Sequence, residues 1–110
     1  MNDSLGEFEV LVLTGVIAGG ADAYGMTVHE EVEKLVTAKR NVSLGAIYTT
    51  LGRLEEKGFV ESWFGEPTTE RGGRAKKFYR ITAPGKRVLH EALAPMAKAL
   101  RVVGPGWSEV

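Results

Sequence analysis

Cysteine is absent from the 110 residues, which excludes disulfides and thiolate metal sites. Histidine is scarce: His29 falls among acids on a helical stretch, and His90 lies beside an apolar stripe. Neither has a metal-ligand partner at a suitable spacing or a nucleophile motif beside it. Both are therefore expected to be packed or solvated, and the chain is expected to be neither an enzyme nor a holder of a metal or cofactor. Long apolar runs are missing too. The longest, from Val10 to Ala18, is too short to span a bilayer, and acids rather than bases lead into it. A cytoplasmic protein with no membrane partner is the expectation. What remains, 44% hydrophobic and 25% charged, is the composition of one soluble globular domain.

Net charge is also lacking, with 14 basic against 14 acidic residues, but the balance hides a segregation. Residues 1–33 carry seven acids and no Lys or Arg, whereas residues 34–87 carry twelve bases against five acids. Within the latter, residues 71–87 hold seven bases and no acid. A basic patch suited to phosphate needs no basic protein. A solvated surface is the other reading of such a run.

The segment from Ser43 to Gly58 has the marks of a short helix with two unlike faces. Ser43 is placed to cap the first amides, Gly58 to end the helix, and Lys57 to complement its C-terminal dipole. Leu44, Ile47, Leu51 and Leu54 recur at spacings of three and four, a stripe that must be buried. Gly45, Ala46, Thr49, Thr50, Gly52 and Arg53 form the other face. Glycine costs a helix interior roughly 1 kcal/mol against alanine, so two of them argue for a closely approaching neighbour. A DNA major groove and a second helix both fit that requirement.

The flanking sequence supplies a frame. A first helix is expected from Ser4, capped with Glu7 and running to about Ala18; it is apolar nearly all round, which implies burial on more than one side and hence a partner subunit. A second helix over Tyr24–Ala38 would bury Tyr24, Val28, Val32 and Leu35. It would make the first half of a helix-turn-helix, joined to the next by a connection in which Asn41-Val42 pairs briefly as a strand and Arg40 lies toward nucleic acid. Phe59–Phe64 and Arg74–Ile81 read as two strands, with Tyr79 and Ile81 facing inward. Between them, Arg71, Gly72, Gly73 and Arg74 form a cationic loop suited to a phosphate backbone or minor groove. Thr82 then caps a last helix bearing Val88, Leu89, Ala92, Leu93, Met96, Leu100 and Val103, a stripe longer than so small a core can cover. Pro95 is expected to kink or divide it near Ala92–Ala94. Trp107 falls in a tail that is either disordered or tucked against a dimer.

Helix, helix, helix, two-stranded wing, helix is the order of a winged helix-turn-helix, an α+β, mainly α fold. Residues 1–82 would form the DNA-binding domain, 83–104 a C-terminal dimerisation helix and 105–110 a tail. Within this order the chain resembles the PadR family of transcriptional regulators. Tyr24-Gly25 resembles that family's Tyr-Gly motif. The residues Tyr48, Thr50, Leu51, Arg53, Leu54, Glu55 and Gly58 resemble its recognition-helix signature. Gly73, Arg74, Lys77, Tyr79, Arg80, Ile81, Thr82 and Gly85 resemble its wing-to-helix signature. Thr49 stands where the family commonly has proline.

The resemblance implies a homodimeric repressor of the short subfamily on a palindromic double-stranded operator, its last helix packed against the partner's helices. Tyr48, Thr50 and Arg53 of the recognition helix and Arg74 and Lys76 of the wing would meet DNA. With the residues placed around them, the expected DNA-facing set is Tyr24, Arg40, Ser43, Ala46, Tyr48, Thr49, Thr50, Arg53, Arg71, Arg74, Lys76 and Lys77. The expected dimerisation set is Leu5, Phe8, Val12, Leu89, Leu93, Met96, Leu100 and Val103. Family members bind aromatic or drug-like ligands near the dimer interface, and Trp63, Trp107, Phe8 and Met96 are the candidates here to line such a space. The competing reading is a winged-helix module that contacts protein and not DNA.

Overall fold

A computed structural model of the chain describes residues 5–36, 41–66 and 75–109. Ser4, Arg40, Arg71, Gly72, Gly73 and Arg74 lie outside the described residues. Helix α1 (Glu7–Gly19) leads into a 3-10 turn (Gly20–Asp22), followed by α2 (Gly25–Leu35) and α3 (Leu44–Glu56). Strands β1 (Val60–Phe64) and β2 (Lys77–Ile81) pair antiparallel with Val60 opposite Ile81 and Phe64 opposite Lys77. Helix α4 (Ala83–Val103) and a final 3-10 turn (Trp107–Glu109) complete the order.

The core lies where α1, α2, α3 and the inner face of the wing converge. Leu13, Val28, Val32, Ile47, Leu51 and Leu54 are fully buried there, joined by Phe59, Val60, Tyr79 and Leu89. Each such aliphatic side chain contributes about 1.5–3 kcal/mol relative to exposure. Helix α1 is apolar on nearly every side because it touches α2, α3, α4 and β2 at once. Val12 is consumed by this core and offers a dimer no surface, contrary to its place in the expected set. Leu89 is likewise buried within the chain, since the first turns of α4 pack on the core.

Several expected boundaries move. Helix α1 opens at Glu7 with Gly6 as its cap, and the Gly6 amide donates to Glu9 Oε1 at 3.0 Å. Helix α2 begins one residue later and ends three residues earlier than expected, and the extended backbone at Val36 leaves Leu35, its last residue, 49% exposed. Asn41-Val42 forms no strand: Val42 turns its side chain into the core, and His29 Nε2 donates to its carbonyl at 2.7 Å. A short bridge forms elsewhere, between Tyr24 and Phe78, and the Tyr79 amide donates to the Ala23 carbonyl at 2.8 Å. The segment before α2 thus serves as a third edge of the wing sheet.

The junction between wing and α4 is tightly built. Gly58 adopts φ 80°, which ends α3, and its carbonyl accepts from Thr82 Oγ1 at 2.6 Å. Thr82 Oγ1 also accepts from the Gly85 amide as the α4 cap. A Cβ on Gly85 would lie 2.1 Å from the Phe59 carbonyl oxygen, so only glycine allows the first turn of α4 to approach so closely. Helix α4 continues undivided through Pro95. The ring removes one amide donor, and the exposed surroundings leave the Glu91 carbonyl to water. Trp107 stands in the final turn and is exposed.

Candidate nucleic-acid interface

Helix α3 presents its outer face beside the wing. Ser43 Oγ accepts from the Ala46 amide at 3.0 Å, as a helix cap does, so this hydroxyl holds the helix start. Tyr48 (46% exposed), Thr49 and Arg53 project outward, and Ala46 is half-buried. Thr50 does not join them. At 4% exposure it belongs to the buried stripe with Ile47, Leu51 and Leu54, because its position is three residues from Ile47 and four from Leu54. Among the described residues, nothing outside the helix's own backbone lies within 4 Å of a Cβ added at Gly45 or Gly52.

Tyr48 has a seat that the sequence pattern does not reveal. A Cβ on Gly25 would lie 2.3 Å from its ring, so the bare backbone at the start of α2 lets the phenol lie flat against it. Tyr24, one residue earlier, is half-buried and makes an edge-on contact with Phe78 at 5.8 Å between centroids. Phe78 in turn stacks on Trp63 at 6.0 Å. The three rings form a row across the outer face of the sheet, since Trp63, Phe78 and Tyr24 are register neighbours. Lys76 Nζ sits 4.4 Å from the Tyr24 ring centroid and is otherwise exposed, a cation held at the edge of α2 and the wing.

The opposite face of the wing treats its lysine differently. Lys77 Nζ is 3.5 Å from Glu55 Oε1 and lies near the rings of Phe64 and Tyr79. Glu55 Oε2 accepts from Ser62 Oγ at 2.5 Å, which ties α3 to β1. The Ser62 hydrogen bond, aided by the Lys77 charge and opposed by partial burial, holds the Glu55 carboxyl below the usual carboxylate value. Burial, and then the Glu55 charge, push the Tyr79 phenol up. Arg80 pairs with Glu61 directly across the ladder and lies over the Trp63 ring. Two adjacent lysines are thus sorted: Lys76 over Tyr24 on the outer face, and Lys77 on the other face, beside Glu55 and 39% exposed.

The remaining expected sites fall elsewhere. Lys57 donates to Glu9 Oε2 at 2.7 Å and fastens the end of α3 to α1. His29, besides its bond to Val42, has Nδ1 3.5 Å from Glu33 Oε1, and His90 borders a shallow apolar cleft beside α4. Leu93, Met96, Leu100 and Val103 lie exposed along α4, with Met96 at 62% and Leu100 at 67%. A cleft of about 440 Å³ between the start of α1 and α4 is lined by Leu5, Val10, Val88, Ala92, Leu93 and Met96 together with Glu7 and Glu91. Phe8 packs against the core, Trp63 lies on the wing and Trp107 beyond the end of α4, so the four aromatic and sulfur candidates for an effector site are not brought together. The links missed in the sequence are Gly25 to Tyr48 and Glu55 to Lys77. The Tyr-Gly pair and the spacing of seven between Tyr48 and Glu55, which puts both on one side of α3, are the signals that point to them.

A helix pair, a third helix with an open outer face and a two-stranded hairpin against its end define a winged helix-turn-helix protein. The transcriptional regulator PadR-like family model matches residues 13–91, and the chain belongs to that family. Similar solved structures include a PadR family transcription regulator from Clostridium difficile, 21% identical, covering 89% of this chain and 95% of that one with a TM-score of 0.67. Another, a PadR family transcriptional regulator from Eggerthella lenta, is 26% identical over 88% of this chain and 78% of its own, with a TM-score of 0.63. The fold is also similar to part of the Aeropyrum pernix ORC1 protein in complex with DNA, at 21% identity and a TM-score of 0.66, over 87% of this chain and 26% of that one. This protein is a transcriptional regulator of the winged-helix type. Among the described residues no helix is long and apolar enough to cross a membrane.

Proposed function

We propose that the chain is a sequence-specific DNA-binding repressor that works as a homodimer. The observation that carries this reading is the outer face of α3, where Tyr48, Thr49 and Arg53 stand beside Gly45 and Gly52 with open space above them and Lys76 at the flank. A thin helix face admits close approach to base edges, Arg53 suits a guanine edge, and Lys76 suits a phosphate. The Aeropyrum pernix protein, part of which has this fold, is in complex with DNA, which agrees with this reading. Ser43, Ala46 and Tyr24 border this face.

The second half of the reading rests on α4. Leu93, Met96, Leu100 and Val103 are exposed apolar side chains on one helix, more than a monomer ordinarily leaves to water in one strip. A second copy would cover them together with Leu5 and Phe8, and a twofold assembly implies a palindromic operator. The cleft between α1 and α4 is the place for a hydrophobic effector that relieves repression, because a ligand there would bear on the surface that fixes the spacing of two recognition helices.

Mobility shift on the DNA upstream of the chain's own gene, at two salt concentrations and with unrelated competitor, tests the DNA reading. A discrete shift that resists competitor and weakens with salt is expected. Folded protein that gives no shift at low salt would favour the protein-interaction module instead.

A further inference from the structure

Glu55 is an acid on the helix that the proposed function turns toward DNA, and its placement calls for a role. Its two oxygens are both engaged: one accepts from Ser62 Oγ at 2.5 Å, the other lies 3.5 Å from Lys77 Nζ. Lys77 follows Lys76 directly, and strand alternation sends the two side chains to opposite faces. Lys76 rests over the Tyr24 ring, open to solvent, while Lys77 is drawn back against α3, among Glu55, Phe64 and Tyr79.

We propose that Glu55 is a specificity device that holds Lys77 off the phosphate backbone and so keeps binding to unrelated DNA low. This rests on the DNA-binding reading above. Non-specific affinity comes almost wholly from cations on phosphates. A lysine on a flexible stem at the wing finds a phosphate on any sequence. It does so most readily in the loosely posed non-specific complex, where no fixed geometry limits its reach. Pairing with Glu55 withholds that cation, and the Ser62 bond keeps the carboxylate where the pairing occurs. Glu55 is thus a positioning residue for the wing, acting through Lys77.

The test compares wild type, Glu55→Gln, Lys77→Met and the double variant for binding to operator and unrelated duplexes by fluorescence anisotropy across a salt series. Glutamine keeps an acceptor for Ser62 and removes the charge. Glu55→Gln is expected to bind unrelated DNA about three- to tenfold tighter, to gain less on the operator, and to steepen the salt slope by about 0.9, one added phosphate contact. Lys77→Met alone should match wild type in affinity and slope, and the double variant should return to wild type. A gain that persists in the double variant would overturn the inference, because the carboxylate would then act on DNA without Lys77. Loss of affinity in Lys77→Met would also overturn it, as would an unchanged Glu55→Gln. Should Glu55→Gln fail to fold, Lys77→Met decides alone on the same criterion. Wild type that binds no duplex would overturn the DNA-binding reading and this inference together, whereas wild-type binding with an unchanged Glu55→Gln sinks only the latter.

Discussion

The two open surfaces of this molecule are chemically opposite. Around α3 and the wing, small, polar and basic residues stand beside the exposed rings of Tyr48, Trp63 and Phe64, and most charged groups nearby have a stated partner: Lys77 with Glu55, Arg80 with Glu61, Lys57 with Glu9. Along the outer half of α4 the exposed residues include Leu93, Met96, Leu100, Val102 and Val103, with no core beneath them. Water tolerates the first surface indefinitely and disfavours the second. The same small core therefore supports one face suited to a charged, hydrated partner and another suited to an apolar one.

Substitutions that act on the frame beneath both surfaces should have the largest effect. Gly85→Ala forces a methyl against the Phe59 carbonyl, where backbone cannot yield, and should destabilise by about 3 kcal/mol or more in urea unfolding. Next comes the apolar face: Met96→Glu with Leu100→Glu should convert a dimer to monomer in sedimentation equilibrium while leaving the helical circular dichroism of the fold in place. If the mass does not change, α4 is not the dimer surface.

On the polar face, Arg53→Ala should relax base preference by roughly 1–3 kcal/mol at one operator position, read by competition among single-base operator variants. Gly25→Ala probes the same face more gently. The added methyl meets only the far end of the Tyr48 side chain, which can swing away, so stability should fall by about 1 kcal/mol or less while operator affinity falls further. A loss confined to stability would remove Tyr48 from the interface.

The smallest effect joins the two halves through Glu9. Burial would raise its carboxyl, but the Lys57 ammonium and the Gly6 amide outweigh this and hold it below the ordinary 4.5. A lowered folded value means that stability from this group is complete above the ordinary value and is lost as pH falls through the folded one. Lys57→Met should flatten that acid-side loss by about 1 kcal/mol or less, measured by urea unfolding below pH 4.5.

The fold was legible because its signals are local. Ser43 and Gly58 mark α3, the 3-and-4 spacing marks its buried stripe, and alternation marks the inner residues Tyr79 and Ile81 of β2. What escaped is partly local and partly a matter of pairs distant in sequence. Thr50 was placed outward on its polarity, although helical geometry puts it beside Ile47 and Leu54 on the buried side. Tyr48 needs Gly25 across 23 positions, and Lys77 needs Glu55 across 22, distances at which no periodicity links two residues. Pro95 was read from its missing amide, whereas an exposed helix face left the lost bond to solvent.

The central claim is that α3 and the wing meet DNA while α4 sets the spacing of two copies. Hydroxyl-radical footprinting on the DNA upstream of the chain's own gene tests both parts at once. The account predicts two protected segments related by a dyad, centred about 34–36 Å apart, one helical turn. A single protected segment bound by a monomer, or uniform protection without a boundary, would contradict it.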